Sequence, residues 1–168
     1  MKKLRIRHLG DPVLHKKARR VEKITSRTRE TVQAMWETMY EADGVGLAAP
    51  QVGILRRIIV IDTREENEKY ALINPEIVWT NEEKTVLSEG CLSLPGVEGE
   101  VLRPSKVRVV ASDPDGRKIE IIGTNLLAKA LQHEIDHLNG ILFIDRVSPE
   151  ELERLRPELS KFEAYATA

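Results

Sequence analysis

The sequence predicts an α+β fold, with an antiparallel or mixed sheet and, after it, a helix that bears His133-Glu134-Ile135-Asp136-His137. Helical periodicity near the start, a run of short strands joined by turns in the middle, and a second helical stretch after them predict it. The first helix is expected from Ser26 to Ala42, where Val32, Met35, Trp36, Met39 and Tyr40 fall at i, i+3, i+4, i+7 and i+8. That spacing is one face of a helix, expected to lie in the core. Gly44-Val45-Gly46-Leu47-Ala48-Ala49-Pro50-Gln51 follows, and its two glycines and proline predict a loop.

Strands are expected at Arg57 to Asp62, Tyr70 to Ile73, Thr85 to Glu89, Val97 to Arg103, Lys106 to Ala111 and Lys118 to Ile122. Asp113-Pro114-Asp115-Gly116 reads as a hairpin turn. A second helix is expected from about Asn125 to Leu138, stopped by Asn139-Gly140. A short third one is expected at roughly Ser148 to Arg156, started by Ser148-Pro149 and interrupted at Pro157.

The 168 residues, 41% apolar, 32% charged and 4% aromatic, suit one soluble globular domain over 1–168, with a short helix and tail from about 148. A compact chain this long buries roughly 70% of its unfolded surface, so it needs no staples. No apolar run approaches the ~20 residues of a membrane helix. The basic N-terminal stretch lacks the apolar segment of a secretory signal, so the cytoplasm is the expected location. The lone cysteine, Cys91, agrees with a reducing compartment.

The net charge of −1 gives the whole chain no field to recruit DNA or an anionic membrane. Within residues 1–20, however, eight bases (Lys2, Lys3, Arg5, Arg7, Lys16, Lys17, Arg19, Arg20) stand against Asp11 alone, a local +7. This is either a solvated face balanced elsewhere in the fold or a surface that meets RNA.

The strongest chemical signal is His133-Glu134-Ile135-Asp136-His137. Residues four apart share a helix face, so both imidazoles can reach one cation while Glu134, one step round, reaches its bound water. The plain alternative is a helix carrying two unrelated histidines. The apolar residues on either side (Leu126, Leu127, Ala130, Leu131, Ile135, Leu138) argue against it, because polar groups buried there require partners. A catalytic divalent site takes three protein ligands, and two residues can supply the third. Glu158, 21 residues after His137, would suit a metallopeptidase, although Pro157 stands directly before it. Cys91, in Ser88-Glu89-Gly90-Cys91-Leu92-Ser93-Leu94-Pro95, would give a Cys-His-His set; taken alone it could equally be a small buried apolar residue. Gly44-Val45-Gly46-Leu47-Ala48-Ala49 matches a dinucleotide fingerprint, but it follows a helix and precedes Pro50, the wrong context for one.

Three of these segments, Gly44 to Gln51, Glu89-Gly90-Cys91-Leu92-Ser93 and Gln132 to His137, resemble the three motifs of peptide deformylases, in the same order and with similar spacing. Gly10-Asp11-Pro12-Val13-Leu14 and Asn74-Pro75 are similar to further family segments, so the likeness covers roughly Ile6 to Ser148. The resemblance implies an α+β fold with antiparallel or mixed sheets around a central helix bearing His133 to His137, and a hydrolase that removes the formyl group from the N-terminal methionine of new polypeptides. It implies Cys91, His133 and His137 as metal ligands, Glu134 as general base, and Gln51 with the Leu92 backbone N–H as oxyanion donors. Val45, Gly46, Gly90, Leu126, Lys129 and Ala130 would then face the substrate, and Glu158 would drop out. Gly46 and Leu47 are expected to form a tight loop over the site that excludes an acetyl group. Glu98 stands where close relatives often carry a base, and Lys129 where an aliphatic residue or arginine can occur, so both bear on peptide preference. The resemblance also implies an ion pair between Glu89 and Arg103, one divalent metal with Fe2+ favoured over Zn2+, Ni2+ or Co2+, and transient contact with the ribosome near its exit tunnel.

Two other classes remain at this stage. A general metallopeptidase needs an open cleft on both sides of the scissile bond, and a non-catalytic metal or ribosome-binding protein has no use for Glu134. The stretch from Ser148 holds Glu150, Glu151, Glu153, Glu158 and Glu163 against Arg154, Arg156 and Lys161, so ribosome contact is expected through the basic N-terminal region instead.

Overall fold

The computed structural model describes residues 3–162. Lys2 and Glu163, counted above among the charges of the two ends, lie outside the described residues. The fold is α+β, as expected. Helix α1 spans Ser26–Glu41, α2 Asn125–Leu138 and α3 Pro149–Leu159. The strands are β1 (Gly46–Ala48), β2 (Ile58–Asp62), β3 (Lys69–Thr80), β4 (Lys84–Cys91), β5 (Leu94–Pro104), β6 (Lys106–Ser112) and β7 (Lys118–Thr124). Five of them form one sheet in the order β1-β2-β3-β6-β7, while β4 and β5 form a separate hairpin, and every strand pair is antiparallel.

The large sheet is covered on both faces where β2 runs, which is why Ile58 to Ile61 is apolar without alternation. Ile59 and Ile61 pack with Leu72, Val109 and Ile121 against Leu127, Leu131, Ile135 and Leu138 of α2. Ile58, Val60 and Ile73 face the other way, against Val32, Met35 and Met39 of α1. Helix α2 is therefore held by its apolar stripe against the sheet, and the residues of its next face are left to meet the β4–β5 hairpin. Of the expected α1 stripe, Val32, Met35 and Met39 are buried and Trp36 half-buried, but Tyr40 is 38% exposed. Its ring stacks on Trp36 at 5.6 Å and its hydroxyl donates to Asp62 at 2.6 Å.

Three local expectations are corrected. The segment expected as a loop contains β1, whose three residues pair with Ile59 to Ile61 of β2. The strand expected to end at Ile73 continues to Thr80 through Asn74-Pro75. Asn74 adopts a left-handed φ of 54°, its amide both accepts from the Val21 N–H at 2.8 Å and donates to the Val21 carbonyl at 2.9 Å, and the register shifts there, so Pro75 sits where the ladder is already broken. Finally, α3 does not stop at Pro157 but runs to Leu159.

An internal proline costs a helix about 3 kcal/mol. Burial of Leu155 and Leu159, both fully enclosed with Phe143, Leu94 and Val101, offsets that, at roughly 1.5–3 kcal/mol for each side chain. The approach of α3 to β5 is close enough that a Cβ on Gly99 would meet Leu155 Cδ1 at 2.8 Å. Helix α3 is thus part of the core. Leu155→Ala is expected to destabilise the fold by about 2–4 kcal/mol in urea unfolding, and a loss below about 0.5 kcal/mol would mean that α3 merely lies on the surface.

Candidate metal centre and cleft

Helix α2 places His133 and His137 one turn apart on the face turned towards β4, with ring centroids 5.0 Å apart. The third group comes from the end of β4. The β4–β5 register shifts between Gly90 and Cys91, and this irregularity carries the Cys91 thiol to 3.3 Å from His137 Nε2. One donor atom from each of Cys91, His133 and His137 lies within 4.8 Å of the others. A thiolate with two imidazoles converging at this spacing suits a divalent cation of borderline softness. Glu158 does not join them; it lies on the rim of the cleft above.

His133 is oriented from behind, whereas the buried Nδ1 of His137 has no hydrogen-bond partner among the described residues. Glu89 on β4 accepts from His133 Nδ1 at 2.9 Å, which leaves Nε2 as the free ligand atom. The same carboxylate takes two hydrogen bonds from Arg103 on β5, Nε at 2.5 Å and Nη2 at 3.0 Å, so the expected pair forms. Arg103 also donates from Nη1 to Asp136 at 3.0 Å, and Arg146 donates to both oxygens of Asp136 at 2.6 and 2.8 Å. Burial alone would raise the Glu89 pKa, but His133 and Arg103 overrule it and bring it to about 2. Burial likewise opposes charge on His133, yet Glu134, Cys91 and Glu89 outweigh that and raise its pKa. Surroundings that favour a proton on this ring favour a cation beside it for the same reason. His137 is shifted well below its ordinary value by burial and by His133 and Arg103, which leaves it neutral, the form that binds metals.

Glu134 differs from its neighbours. Its Oε1 is buried with no hydrogen-bond partner among the described residues, and burial raises its pKa to about 7. The Gly46 backbone closes over it, since a Cβ there would stand 2.6 Å from Glu134 Oε2. Leu47, expected over the site with Gly46, is instead fully buried against α1, because β1 alternates its side chains between the two sides. Gln51 is held at one end by Ala48, whose N–H donates to its Oε1 at 2.9 Å, and its Nε2 donates to Ser93 Oγ at 3.1 Å and Cys91 Sγ at 3.4 Å.

These groups open on a cleft of about 830 Å³. Val45, Gly46, Gly90, Leu92, Leu126, Lys129 and Ala130 line it together with Gln51, Cys91, His133 and Glu134, so the structure brings every expected substrate-facing residue to one place. His137 lies beneath, 1% exposed. Lys129 is turned along the wall, donating to the Ser88 carbonyl at 2.9 Å. Sequence reasoning missed Asp136, Arg146 and Ser93 as supporting groups. A buried acid inside an apolar helix was the available signal for Asp136; Arg146 and Ser93 gave none. Glu98, Glu100 and Asp43 also line the cleft, whereas Arg154, the cation near them, is engaged by Glu151 at 2.6 and 2.8 Å.

Breaking a buried ion pair leaves one charge uncompensated, which costs far more than the pair contributes. A stability cycle on Glu89→Gln and Arg103→Met is therefore expected to give a coupling above about 1 kcal/mol, and a value below ~0.3 kcal/mol would show two independently solvated groups.

Known proteins resemble this chain in sequence and in fold. The sequence model of the polypeptide deformylase family matches residues 3–153. A peptide deformylase of Halothermothrix orenii is 56% identical over 144 residues, covering 86% of this chain and 93% of the relative. That of Alkaliphilus metalliredigens is 57% identical over 145 residues, covering 86% and 97%. Among solved structures, a plant peptide deformylase superposes with a TM-score of 0.92 at 37% identity, covering 97% of this chain and 90% of the other. The enzyme from Thermotoga maritima gives 0.84 at 46% identity, covering 89% and 100%. By sequence along most of its length and by fold, the chain belongs to the polypeptide deformylase family.

Proposed function

We propose that this chain, acting as one catalytic domain over residues 1–168, hydrolyses the formyl group from the N-terminal methionine of nascent polypeptides, with Cys91, His133 and His137 holding the metal and Glu134 as general base. The observation that carries the assignment of roles is the Cys91-His133-His137 convergence beside a buried Glu134 oxygen that has no hydrogen-bond partner among the described residues. A divalent cation bound there would supply Lewis acidity and a water molecule acidified far below its ordinary pKa. Glu134, with its own pKa near 7, is matched to accept that water's proton and return it to the leaving amine. Gln51 Nε2 is fixed by Ala48 and Ser93 so that it aims at the donor set, and with the Leu92 N–H it would receive the developing oxyanion, each such donor contributing about 3–4 kcal/mol. Val45, Leu126 and Ala130 would receive the methionine side chain, Gly46 and Gly90 would let the peptide backbone approach, and Lys129 would border the site.

Two readings of partner and place go with this. We infer transient association with the ribosome near its exit tunnel, where the substrate emerges, and action in the cytoplasm, where formylated chains are made. No helix among the described residues is long and apolar enough to cross a membrane.

Formyl-Met-Ala is expected to be turned over while an unformylated peptide is not; cleavage of the latter would indicate a general peptidase. Glu134→Ala should retain the metal at wild-type stoichiometry and lose about 10²- to 10⁴-fold in kcat. Loss of metal, or normal turnover, would remove Glu134 from this role.

The metal is proposed to be Fe2+, with Zn2+, Ni2+ and Co2+ as substitutes. A mixed thiolate-imidazole set binds Zn2+ more tightly than Fe2+, but Zn2+ favours four-coordinate tetrahedral geometry whereas Fe2+ accepts open, higher-coordinate sites. Apo-protein reconstituted under argon should turn over faster with Fe2+ than with Zn2+, and equal rates would overturn the preference.

A further inference from the structure

His133 is held in two ways. Glu89 accepts from its Nδ1 at 2.9 Å, and Phe143 stacks on the face of its ring, with centroids 6.1 Å apart and planes inclined by 26°. His137, whose Nδ1 has no hydrogen-bond partner among the described residues, meets the His133 ring edge to face, so its placement follows that of His133. The two supports come from different parts of the chain, and Arg146 is common to both. Its backbone N–H donates to the Phe143 carbonyl at 2.9 Å and so closes the short turn Phe143–Asp145. Its guanidinium grips Asp136 with two prongs, Nε to Oδ2 at 2.6 Å and Nη2 to Oδ1 at 2.8 Å. Asp136 Oδ2 also accepts from Arg103 Nη1 at 3.0 Å, and Arg103 in turn holds Glu89. Glu89, Arg103 and Asp136 are all buried, two carboxylates to one guanidinium, and Arg146 brings the set to neutrality from a position where its own side chain is 44% exposed. Arg146 is not among the residues that line the cleft.

We propose that Arg146 is a positioning residue for the metal centre, acting on His133 through the Asp136–Arg103–Glu89 chain and through Phe143. The inference rests on the reading of Cys91, His133 and His137 as metal ligands. A surface ion pair contributes little because water screens both partners, but here the Asp136 side chain is only 11% exposed. Without Arg146, Asp136 keeps Arg103 as its one side-chain partner among the described residues and competes with Glu89 for it. A guanidinium drawn towards Asp136 slackens its hold on Glu89, and the carboxylate that fixes the His133 ring shifts with it. The turn that carries Phe143 loses its tether to α2 at the same time.

Arg146→Met removes the charge and both prongs but keeps the length of the side chain. Loaded with Zn2+ and mixed with a chromogenic chelator, this variant is expected to release the ion about ten-fold faster than the wild type, the lower end of the effect of partners that touch a ligand directly. At equal metal occupancy, kcat for formyl-Met-Ala should fall about ten-fold with KM within about two-fold of the wild type. In the metal-free protein, the downfield proton resonance of His133 Nδ1–H, identified by its loss in His133→Ala, should broaden or vanish. Arg146→Lys, which restores the charge but only one point of contact, should recover part of each effect. Val32→Ala, which loosens the buried packing of α1, should change none of the three. Wild-type release, kcat and resonance in Arg146→Met, the same losses in Val32→Ala, or a rise in KM alone would each overturn the proposal. Should Arg146→Met not fold, Arg146→Lys decides, and wild-type behaviour there overturns it. Wild-type protein that holds the metal without turning over formyl-Met-Ala would count against the deformylase reading instead, and the release and resonance measurements would still test Arg146.

Discussion

The Glu89–Arg103 pair is the contact on which the site depends. It joins the two strands of the β4–β5 hairpin, and through His133 and Asp136 it joins that hairpin to α2. The hairpin is not part of the five-stranded sheet, so its position relative to α2 rests on this buried network and on the apolar cluster of Leu94, Val97 and Val101 with Phe143 and Leu155. The apolar cluster fixes how close the two elements come. The charged network fixes which way the imidazole faces, because a carboxylate held ionised by Arg103 demands the Nδ1 proton of His133. A purely apolar contact could have been as stable, but it would have left the ring free to turn.

Much of this was legible where a periodic pattern and a chemical requirement coincided. The spacing of His133 and His137 within an apolar stripe located both the helix and its functional face, and α2 begins and ends at the expected residues, Asn125 and Leu138. What the sequence hid was set by tertiary context. A three-residue strand such as β1 has no period to read, and its glycine suggests a loop until β2 is there to pair with it. Pro75 and Pro157 break local rules, and each is tolerated because something distant offsets it: the Val21 backbone held by Asn74 in one case, the enclosure of Leu155 and Leu159 in the other. The third ligand position stayed open on residues alone, since neither Cys91 nor Glu158 lies near the histidines in sequence. A bend at Gly90-Cys91 selects between them, and no composition rule announces it.

Net charge proved the least informative number in the sequence. A value of −1 conceals an uneven distribution, with Glu98, Glu100 and Asp43 lining the cleft while Lys23, Arg27 and Arg56 stand exposed around a second hollow beside the first turn of α1. Charges divided in this way orient a molecule in the field of a polyanion even when the total is near zero.

The same division of labour operates at atomic scale around Glu134. Its neighbours in sequence, His133 and Asp136, are satisfied by Glu89, Arg103 and Arg146, whereas its own Oε1 has no partner among the described residues. An unpartnered buried carboxylate costs folding free energy, and burial has accordingly raised its pKa to about 7. Gly46 deepens that burial, because only a residue without a Cβ lets the β1 backbone come so near the carboxylate. In the proposed reaction the glycine would act twice: it would narrow the space beside the donor set, which suits the smallest acyl group, and it would help keep solvent from Glu134. On that proposal steric selection and basicity would share one close approach, so a side chain at Gly46 would disturb both together.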